Sequence, residues 1–432
     1  MHFFLQFILK YISKFVLWRY KPVIIAITGS VGKTSVRDAV FTLISKRFRV
    51  RKSVKNYNNE IGVPMSVIGS RSGKLKFFEY LNVIFSGIFL FFWKNNDFPR
   101  FLVLEMGADK PGDIKYLTDI ARPNISVVTA IGEMPAHIEF FPERDALIEE
   151  KARILTALPE NGAAVLNYDD LSVRDMRHSL PENISILTYG FGSGAVVKGD
   201  NYAIGGVEDK NNLDADLYMS FKIAYNGSTV PVRVRGLLGY SQAYAVLAAA
   251  SIALALGMNL LEISEGIGDY VSPPGRIKLL KGIKNSWIID DSYNSSPLAA
   301  LSAVETLAIF KDYRKIAILG DMLELGEYTE KAHRNLGEKA AEVCDLIIAV
   351  GSRAKFIYDE ALSRSFSKEN IFYFDHHQIE EAGKFIQKKI NSGDMILVKG
   401  SQEMRMEKIV QEIMAEPEKA KELLVRQDWE DA

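Results

Sequence analysis

The residues with the plainest chemical purpose are Gly29, Ser30, Val31, Gly32, Lys33, Thr34 and Ser35, a glycine turn between an apolar run and a helical pattern. Backbone N–H groups of such a turn, opening onto a helix N-terminus, cradle phosphate oxygens. Lys33 then reaches the terminal phosphates and the Thr34 hydroxyl is placed to ligate Mg²⁺. The longer pattern GxxxxGK[ST] is not met, because Ile27 stands where its first glycine belongs; the motif is the shorter GxxGKT. A second candidate is Glu105, within FLVLEMGADKPGDI. A carboxylate at the C-terminal tip of a neighbouring strand lies where a nucleotide crevice opens, and holds Mg²⁺ directly or through water. His137 in AHIEFF and Lys151 in IEEKARIL add an imidazole near a strand end and a cation on a helix. Taken singly, they read as a structural hydrogen-bonding group and a solvated charge.

The elements that must position these groups alternate between strand and helix. VIIAIT (23–28) precedes the glycine turn and the helical VRDAVFTLISKRF follows it; FLVLEMG (101–107), ISVVTAIG (125–132) and AAVLNYD (163–169) are further short apolar strands. This alternation predicts an α/β domain with a largely parallel sheet. Residues 195–236 read instead as an antiparallel excursion at the sheet edge, followed by the helix SQAYAVLAAASIALALGM, which Gly257 ends. SPPG at 272–275 breaks any helix and supplies a hinge. Beyond it SWIIDD, KIAILGD, DLIIAVG and DMILVKG restart the strand–helix alternation in what should be a separate domain. The expected organisation is an N-terminal helix (1–20), a central domain (21–271) with an apolar insert (71–98), a C-terminal domain (272–415) and a charged, solvated tail (416–432).

At 432 residues, two to four domains are expected. Lysine plus arginine (53) nearly balances aspartate plus glutamate (54), which leaves no basic field to favour nucleic acid. The lone Cys344 excludes a disulfide framework and a cysteine zinc site, and fits a reducing cytoplasm. His376 and His377 follow Asp375 in a loop-like region and read as surface residues. No run of 18 apolar residues exists to span a bilayer. Two apolar stretches point to a membrane surface all the same. In the first, His2, Gln6, Lys10, Ser13 and Lys14 mark one helical face and Phe3, Phe4, Phe7, Ile8, Tyr11, Ile12, Phe15 and Trp18 the other, with Arg19 and Lys21 following. That pattern suits a helix lying in the membrane interface, or one packed on its own domain. The second, FFEYLNVIFSGIFLFFW (77–93), has Lys74, Lys76 and Lys94 as flanks and contains Glu79 and Asn82. It suits an interfacial segment or a buried helix.

Read together, GSVGKTS, NYNNEIGVPMSV (56–67), EMGADKPGDI, ARPNISVVTAIG with AHIEFF, PPGRIKLL, IIDDSYNSSP, ILGDMLELGEYTEKAH and ILVKGSQEMRMEKIV occur in the order seen in the Mur ligases. The chain most resembles the branch that adds D-alanyl-D-alanine to a UDP-muramoyl-tripeptide, over roughly residues 22–415. The resemblance implies a P-loop ATPase-like central domain, a Rossmann-like C-terminal ligase domain and an ATP-dependent amide ligase. In that chemistry the γ-phosphate passes to a substrate carboxylate, an amine attacks the acyl phosphate, and the tetrahedral intermediate collapses to amide and phosphate. Dense positive charge is needed, because two anions must meet.

Carried onto this sequence, the resemblance gives Lys33 and Thr34 the phosphates and one Mg²⁺, and Glu105 and His137 a second ion. It makes Lys151 the lysine that the family carbamylates to support Mg²⁺. Asn58 and Asn59 match paired asparagines near the phosphates and substrate. Arg276, Asp290, Asp291, Tyr293 and Asn294 match residues that contact the nucleotide and close the cleft. Lys399 and Ser401 lie toward the incoming amine.

Departures from the family pattern set further expectations. Only about 27 residues precede the phosphate loop where the branch has a UDP-substrate domain, so the acceptor is expected to be either a small molecule or lipid-linked. Ser241, Gln242 and Ala245 stand where the family has a His-Asn pair and a further Asn, leaving Gln242 to make a nucleotide contact. Arg153 replaces a glutamate two residues after Lys151, and Glu403 a small residue. Three functions follow: the D-alanyl-D-alanine-adding ligase; another amide ligase of the family, for polyglutamate or cofactor glutamylation; or a membrane-associated ATP-binding protein without ligation.

Overall fold

A computed structural model describes residues 2–54, 57–69, 77–93, 95–210 and 212–426, the side chains of His2, Phe3, Phe77, Phe78 and Glu79 excepted. Lys74, Lys76 and Lys94, Asn56 of the NYNN run, and residues 427–432 of the tail lie outside that description.

Among the described residues, the first sheet has nine strands: β1 (Val23–Thr28), β2 (Val50–Lys52), β3 (Phe101–Glu105), β4 (Ile125–Val128), β5 (Ala163–Asn167), β6 (Ser185–Gly190), β7 (Val197–Gly205), β8 (Tyr218–Tyr225) and β9 (Ser228–Arg235). Their order is β2-β3-β1-β4-β5-β6-β7-β8-β9, parallel through β7, after which β7, β8 and β9 pair antiparallel. The second sheet has six: β10 (Lys278–Lys281), β11 (Trp287–Asp291), β12 (Lys315–Gly320), β13 (Leu346–Val350), β14 (Ile371–Phe374) and β15 (Met395–Lys399). It runs β10-β11-β15-β12-β13-β14, with β10 alone antiparallel. This is the α/β architecture expected, with two mostly parallel sheets.

The central strands are apolar throughout because helices cover both faces. On one face, α2 (Lys33–Ile44) packs on β1 and β3 and the helix Tyr240–Ala255 on β5 and β6, together burying Val36, Val40, Leu43, Val246 and Ala249. On the other, α1 (His2–Tyr20), α3 (Gly62–Ile68) and α4 (Phe77–Phe92) join the helices Asp113–Ile120 and Arg144–Thr156. The N-terminal segment therefore packs on its own domain, but not through the face that polarity suggests. Leu9, Val16 and Ser13 turn inward, and the Ser13 hydroxyl donates to the Pro64 carbonyl at 3.4 Å. Phe4, Phe7, Tyr11, Phe15 and Trp18 turn outward. The reason is the register against α3 and α4: the inward stripe must be slim where helices pack closely, and a Cβ on Gly87 of α4 would lie 2.2 Å from Ile12 Cγ2.

The described part of the C-terminal stretch, residues 416–426, also differs from the solvated tail expected. Arg426 is buried, donates to the carbonyls of Ser292 at 2.6 Å and Tyr293 at 2.7 Å, and pairs with buried Glu407 at 2.6 Å. Removing one member of a buried pair leaves an uncompensated charge. Arg426→Met is expected to lower unfolding stability by about 3 kcal/mol, read as a shifted denaturant midpoint at unchanged slope.

Candidate active site

Register places the phosphate loop. In β1 and β3, Ile27 lies opposite Glu105, so the turn after β1 leaves the sheet beside that carboxylate. The turn is then pinned to the strand on its other side, where the amides of Ser30 and Val31 donate to the Ala130 carbonyl at 2.8 and 3.0 Å. Gly29 has φ 137°, and a Cβ there would lie 2.0 Å from Thr129 Oγ1, so no larger residue fits. Gly32, at φ 93°, turns the chain into α2.

α2 carries Lys33, Thr34 and Arg37 on the face that meets β3. Lys33 Nζ donates to the Gly29 carbonyl at 2.6 Å, closing the loop on itself. Burial holds the Lys33 ammonium below the usual lysine range, Glu105 opposing and Arg276 adding to the effect. Thr34 Oγ1 donates to Glu105 Oε2 at 3.2 Å and accepts from Arg276 Nη2 at 2.9 Å. Arg37 Nη1 lies 2.9 Å from Glu105 Oε1, and both side chains are almost wholly buried. Burial alone would lower the Arg37 guanidinium, but Glu105 and Asp38 outweigh it and raise it. Lys151, fully buried on the helix Arg144–Thr156, reaches the same Gly29 carbonyl at 3.4 Å. Its pKa falls to about 7, mainly through burial and then through repulsion by Lys33.

The second domain closes the site through the hinge at residues 272–277. Asp290 Oδ2 accepts from the Gly275 amide at 3.1 Å and Asp291 Oδ1 from the Ile277 amide at 3.2 Å. Asp291 Oδ2 pairs with Lys399 Nζ at 2.5 Å, and Lys399 donates onward to the Asn294 carbonyl at 2.9 Å. Burial raises the Asp290 carboxyl to about 6. Arg276 projects from the hinge over the Tyr293 ring at 4.2 Å and ends on Thr34. A cleft of about 320 Å³ opens between the domains. Ser30 to Thr34, Asn58, Glu105 and His137 line one side, and Arg276, Tyr293, Asn294, Ser401 and Glu403 the other.

Several site candidates are placed outside the cleft lining. Asn59 Oδ1 accepts from the Gly62 amide at 2.9 Å and so caps the start of α3. Gln242, expected at the nucleotide, is committed to the hinge instead. Its amide donates to Ser272 Oγ at 3.1 Å and the Arg276 carbonyl at 3.0 Å, and its oxygen accepts from Tyr270 at 2.8 Å. Asp290, Asp291 and Lys151 lie behind the cleft wall. His137, at φ 67°, sets Nδ1 2.5 Å from Glu324 Oε2 of the second domain, and that hydrogen bond lowers the Glu324 carboxyl.

Sequence reading missed Arg37 and Glu324 as partners. Arg37 had a signal, since it follows Lys33 by one helical turn; Glu324 had none beyond lying in GDMLELGE. A second cavity of about 840 Å³ adjoins the first, sharing Val31 and Gly32, with Tyr240, Ser241, Tyr244 and Ala245 in its wall.

A divalent ion has a fitting donor pair here. Thr34 and Glu105 offer hard oxygens 3.2 Å apart on the cleft wall, with Glu105 Oε1 held by Arg37 at 2.9 Å. Among the described residues no group of three His, Cys, Asp or Glu side chains gathers to hold a metal, so phosphate and water would complete the shell.

Comparison with known proteins is consistent along the chain. Residues 90–253 match the Mur ligase middle domain, and residues 275–402 match the glutamate ligase domain of Mur ligases. The UDP-N-acetylmuramoyl-tripeptide–D-alanyl-D-alanine ligase of Bacillus subtilis is 25% identical over 411 residues, covering 95% of this chain and 79% of the relative. The protein of the same name from Buchnera aphidicola is 28% identical over 412 residues, covering 94% and 80%. A crystal structure of MurF ligase from Thermotoga maritima in complex with ADP has a TM-score of 0.76 at 25% identity, over 95% of this chain and 84% of that one.

Proposed function

The chain belongs to the Mur ligase family, and from that premise we propose an ATP-dependent amide-forming ligase that joins D-alanyl-D-alanine to UDP-N-acetylmuramoyl-tripeptide in peptidoglycan precursor synthesis. The observation that carries this reading is the cleft itself. A phosphate loop with Lys33 and Thr34 faces Arg276, Tyr293 and Ser401 across a space of about 320 Å³, in a fold that matches the MurF ligase of Thermotoga maritima over 95% of this chain.

In this reading Lys33 and the backbone amides of Lys33 and Thr34 at the start of α2 hold the β- and γ-phosphates, and the adjoining cavity takes the nucleoside between Tyr240, Ser241 and Tyr244. The acceptor carboxylate approaches the γ-phosphate from the Asn58 and His137 side. Lys33 and Arg276 lower the repulsion between two anions as the phosphoryl group transfers. The amine then displaces phosphate from the acyl phosphate, giving amide and inorganic phosphate. Thr34 and Glu105 would hold a Mg²⁺ ion, which would neutralise further charge on the phosphates. Closure of the hinge keeps water from the acyl phosphate, and the Asp290 and Asp291 bonds to Gly275 and Ile277 set where that hinge turns.

Lys151 has a further part. With a pKa of about 7, much of its amine is neutral at neutral pH and free to attack CO₂, forming a carbamate and releasing a proton. The carbamate would carry negative charge beside the phosphate loop and support a second Mg²⁺ together with His137 and Glu105. The reaction uses cytoplasmic ATP, and no helix among the described residues is long and apolar enough to cross a membrane.

The test is phosphate release from ATP with Mg²⁺ and bicarbonate, with UDP-N-acetylmuramoyl-tripeptide present and D-alanyl-D-alanine present or withheld. Release that requires both, with the pentapeptide product seen by mass spectrometry, is the expected result. Turnover only with glutamate, or only with a lipid-linked acceptor, would keep the ligase chemistry and overturn the substrate. No turnover with any acceptor would leave a nucleotide-binding protein.

A further inference from the structure

Helices α1 and α4 pack against each other and against α3, and each has one stripe held inside the fold. In α1 that stripe is Leu9, Ser13 and Val16; in α4 it is Val83, Gly87 and Leu90. The opposite stripes face solvent and are almost entirely aromatic. Phe4, Phe7, Tyr11, Phe15 and Trp18 recur every three or four residues along α1, between 44% and 71% exposed. Phe85, Ile88, Phe89 and Phe92 do the same on α4, continued by Trp93 just beyond it, between 39% and 65% exposed.

Ring contacts join the two stripes into one surface. Phe15 meets Phe91 at 5.5 Å, Phe91 meets Phe92 at 5.1 Å, and Trp93 stacks on Phe89 at 5.1 Å. Elsewhere on the described chain, exposed Leu171, Tyr240 and Leu298 line the second cavity, and Phe140, Val196, Leu261 and Val271 lie apart from them. A monomeric soluble protein rarely shows so large a contiguous apolar patch without using it.

Charge selects the occupant. Lys14, Arg19 and Lys21 are exposed, Lys10 stands half-exposed beside the stripe, and 4–21 contains no aspartate or glutamate, while Glu79 in the first turn of α4 is the one acid in the two helices. In a chain whose charges otherwise balance, that is a one-sided basic rim around an aromatic face. Trp, Tyr and Phe at headgroup depth with lysines alongside is the chemistry of a membrane–water interface. We propose that the outward face of α1 and α4 is a docking surface for an anionic lipid bilayer, with the aromatic rings in the headgroup–acyl boundary and the basic rim on lipid phosphates. The helices lie on the bilayer and do not cross it, since neither has the length and apolarity of a span. The inference stands apart from the ligase reading.

The test uses the full chain with vesicles of phosphatidylcholine alone and of phosphatidylcholine with phosphatidylglycerol. The expected result is co-sedimentation with the anionic vesicles, weakened by salt, with tryptophan emission quenched by brominated acyl chains through Trp18 and Trp93. Phe7→Ser/Trp18→Ser/Phe85→Ser/Phe89→Ser should weaken binding by at least about a hundredfold. Lys14→Gln/Arg19→Gln/Lys21→Gln should weaken it on the order of a hundredfold on anionic vesicles alone. All seven positions are exposed, so an unchanged thermal midpoint is the control for folding. Equal partition onto neutral vesicles, no sedimentation with either, or sedimentation that survives both variants would overturn the proposal. So would a concentration-dependent dimer that the aromatic variant abolishes, which would assign the face to a second copy.

Discussion

Lys33→Met should lower kcat for ATP-dependent ligation by at least a thousandfold while leaving the folded state as stable as before, or slightly more so. The two halves of that expectation come from one observation. Lys33 is a buried ammonium whose pKa is lowered by burial, with Glu105 opposing. For a lysine depressed in this way, the unfolded chain binds the proton more readily than the folded one. Keeping the charge inside therefore opposes folding at neutral pH, and its removal relieves that cost. In the proposed ligase, what the substitution removes is the charge facing the γ-phosphate when two anions are brought together, a contribution made mainly in the transition state. Phosphate release and scanning calorimetry on the same preparation check both halves. A variant that loses activity only in step with its thermal midpoint would mean that Lys33 is structural.

Lys151→Met should be nearly as severe, and wild-type activity should depend on dissolved CO₂ and on pH in a linked way. The Lys151 pKa of about 7, against 10.5 for a free lysine, sets the sign. Above about 7 the amine is neutral and reacts with CO₂; below it the amine is protonated and does not. With CO₂ held constant, carbamate occupancy and activity should rise together as pH increases through 7. A carbonyl resonance from ¹³C-bicarbonate, present in the wild type and missing in Lys151→Met, reads the occupancy directly. The same shift makes a separate stability prediction. Between about 7 and 10.5 the unfolded chain still binds the proton that the folded chain has lost, so this group's contribution to stability rises with pH across that window. Lys151→Met should flatten the rise. Full activity in CO₂-free buffer, or in the variant, would remove Lys151 from the chemistry.

The site is poised through charges that arrive from distant parts of the chain. Glu105 is contacted by Thr34 and Arg37 of α2, and Arg276 reaches Thr34 from the hinge. His137 meets Glu324 across the domain boundary. Closing or opening the domains would move Arg276 and Glu324 relative to the phosphate loop, so nucleotide binding and hinge position are coupled through named contacts.

Much of this was legible in the residues alone, wherever the physics is local. A β-branched apolar run, a turn requiring positive φ and a following helical pattern specify the phosphate loop without reference to the rest of the molecule. Strands β1, β3, β4, β5, β8, β9, β11, β12, β13 and β15 stand out for the same reason, as short apolar or alternating runs between turn signals. Strands β2, β6, β10 and β14 escaped notice because their residues become strand only by pairing with a neighbour. β2, for example, is the three-residue VRK, held at the sheet edge by β3.

Packing decided the remainder. Polarity divides α1 into a polar and an aromatic face, yet Ser13 is buried and five aromatic rings face solvent, because the fit against α3 and α4 outweighs the helix's own amphipathicity. Gln242 has the side chain for a nucleotide contact but serves the hinge, since Tyr270, Ser272 and Arg276 surround it. Lys151 looks like a solvated helical lysine until the fold encloses it beside Lys33. Residue type and spacing determined the strands, the glycine turn and the family of chemistry, since those follow from neighbours along the chain. Burial, charge pairing and the shifted lysine awaited tertiary structure, because desolvation and Coulomb energies depend on which groups the fold brings within a few ångströms.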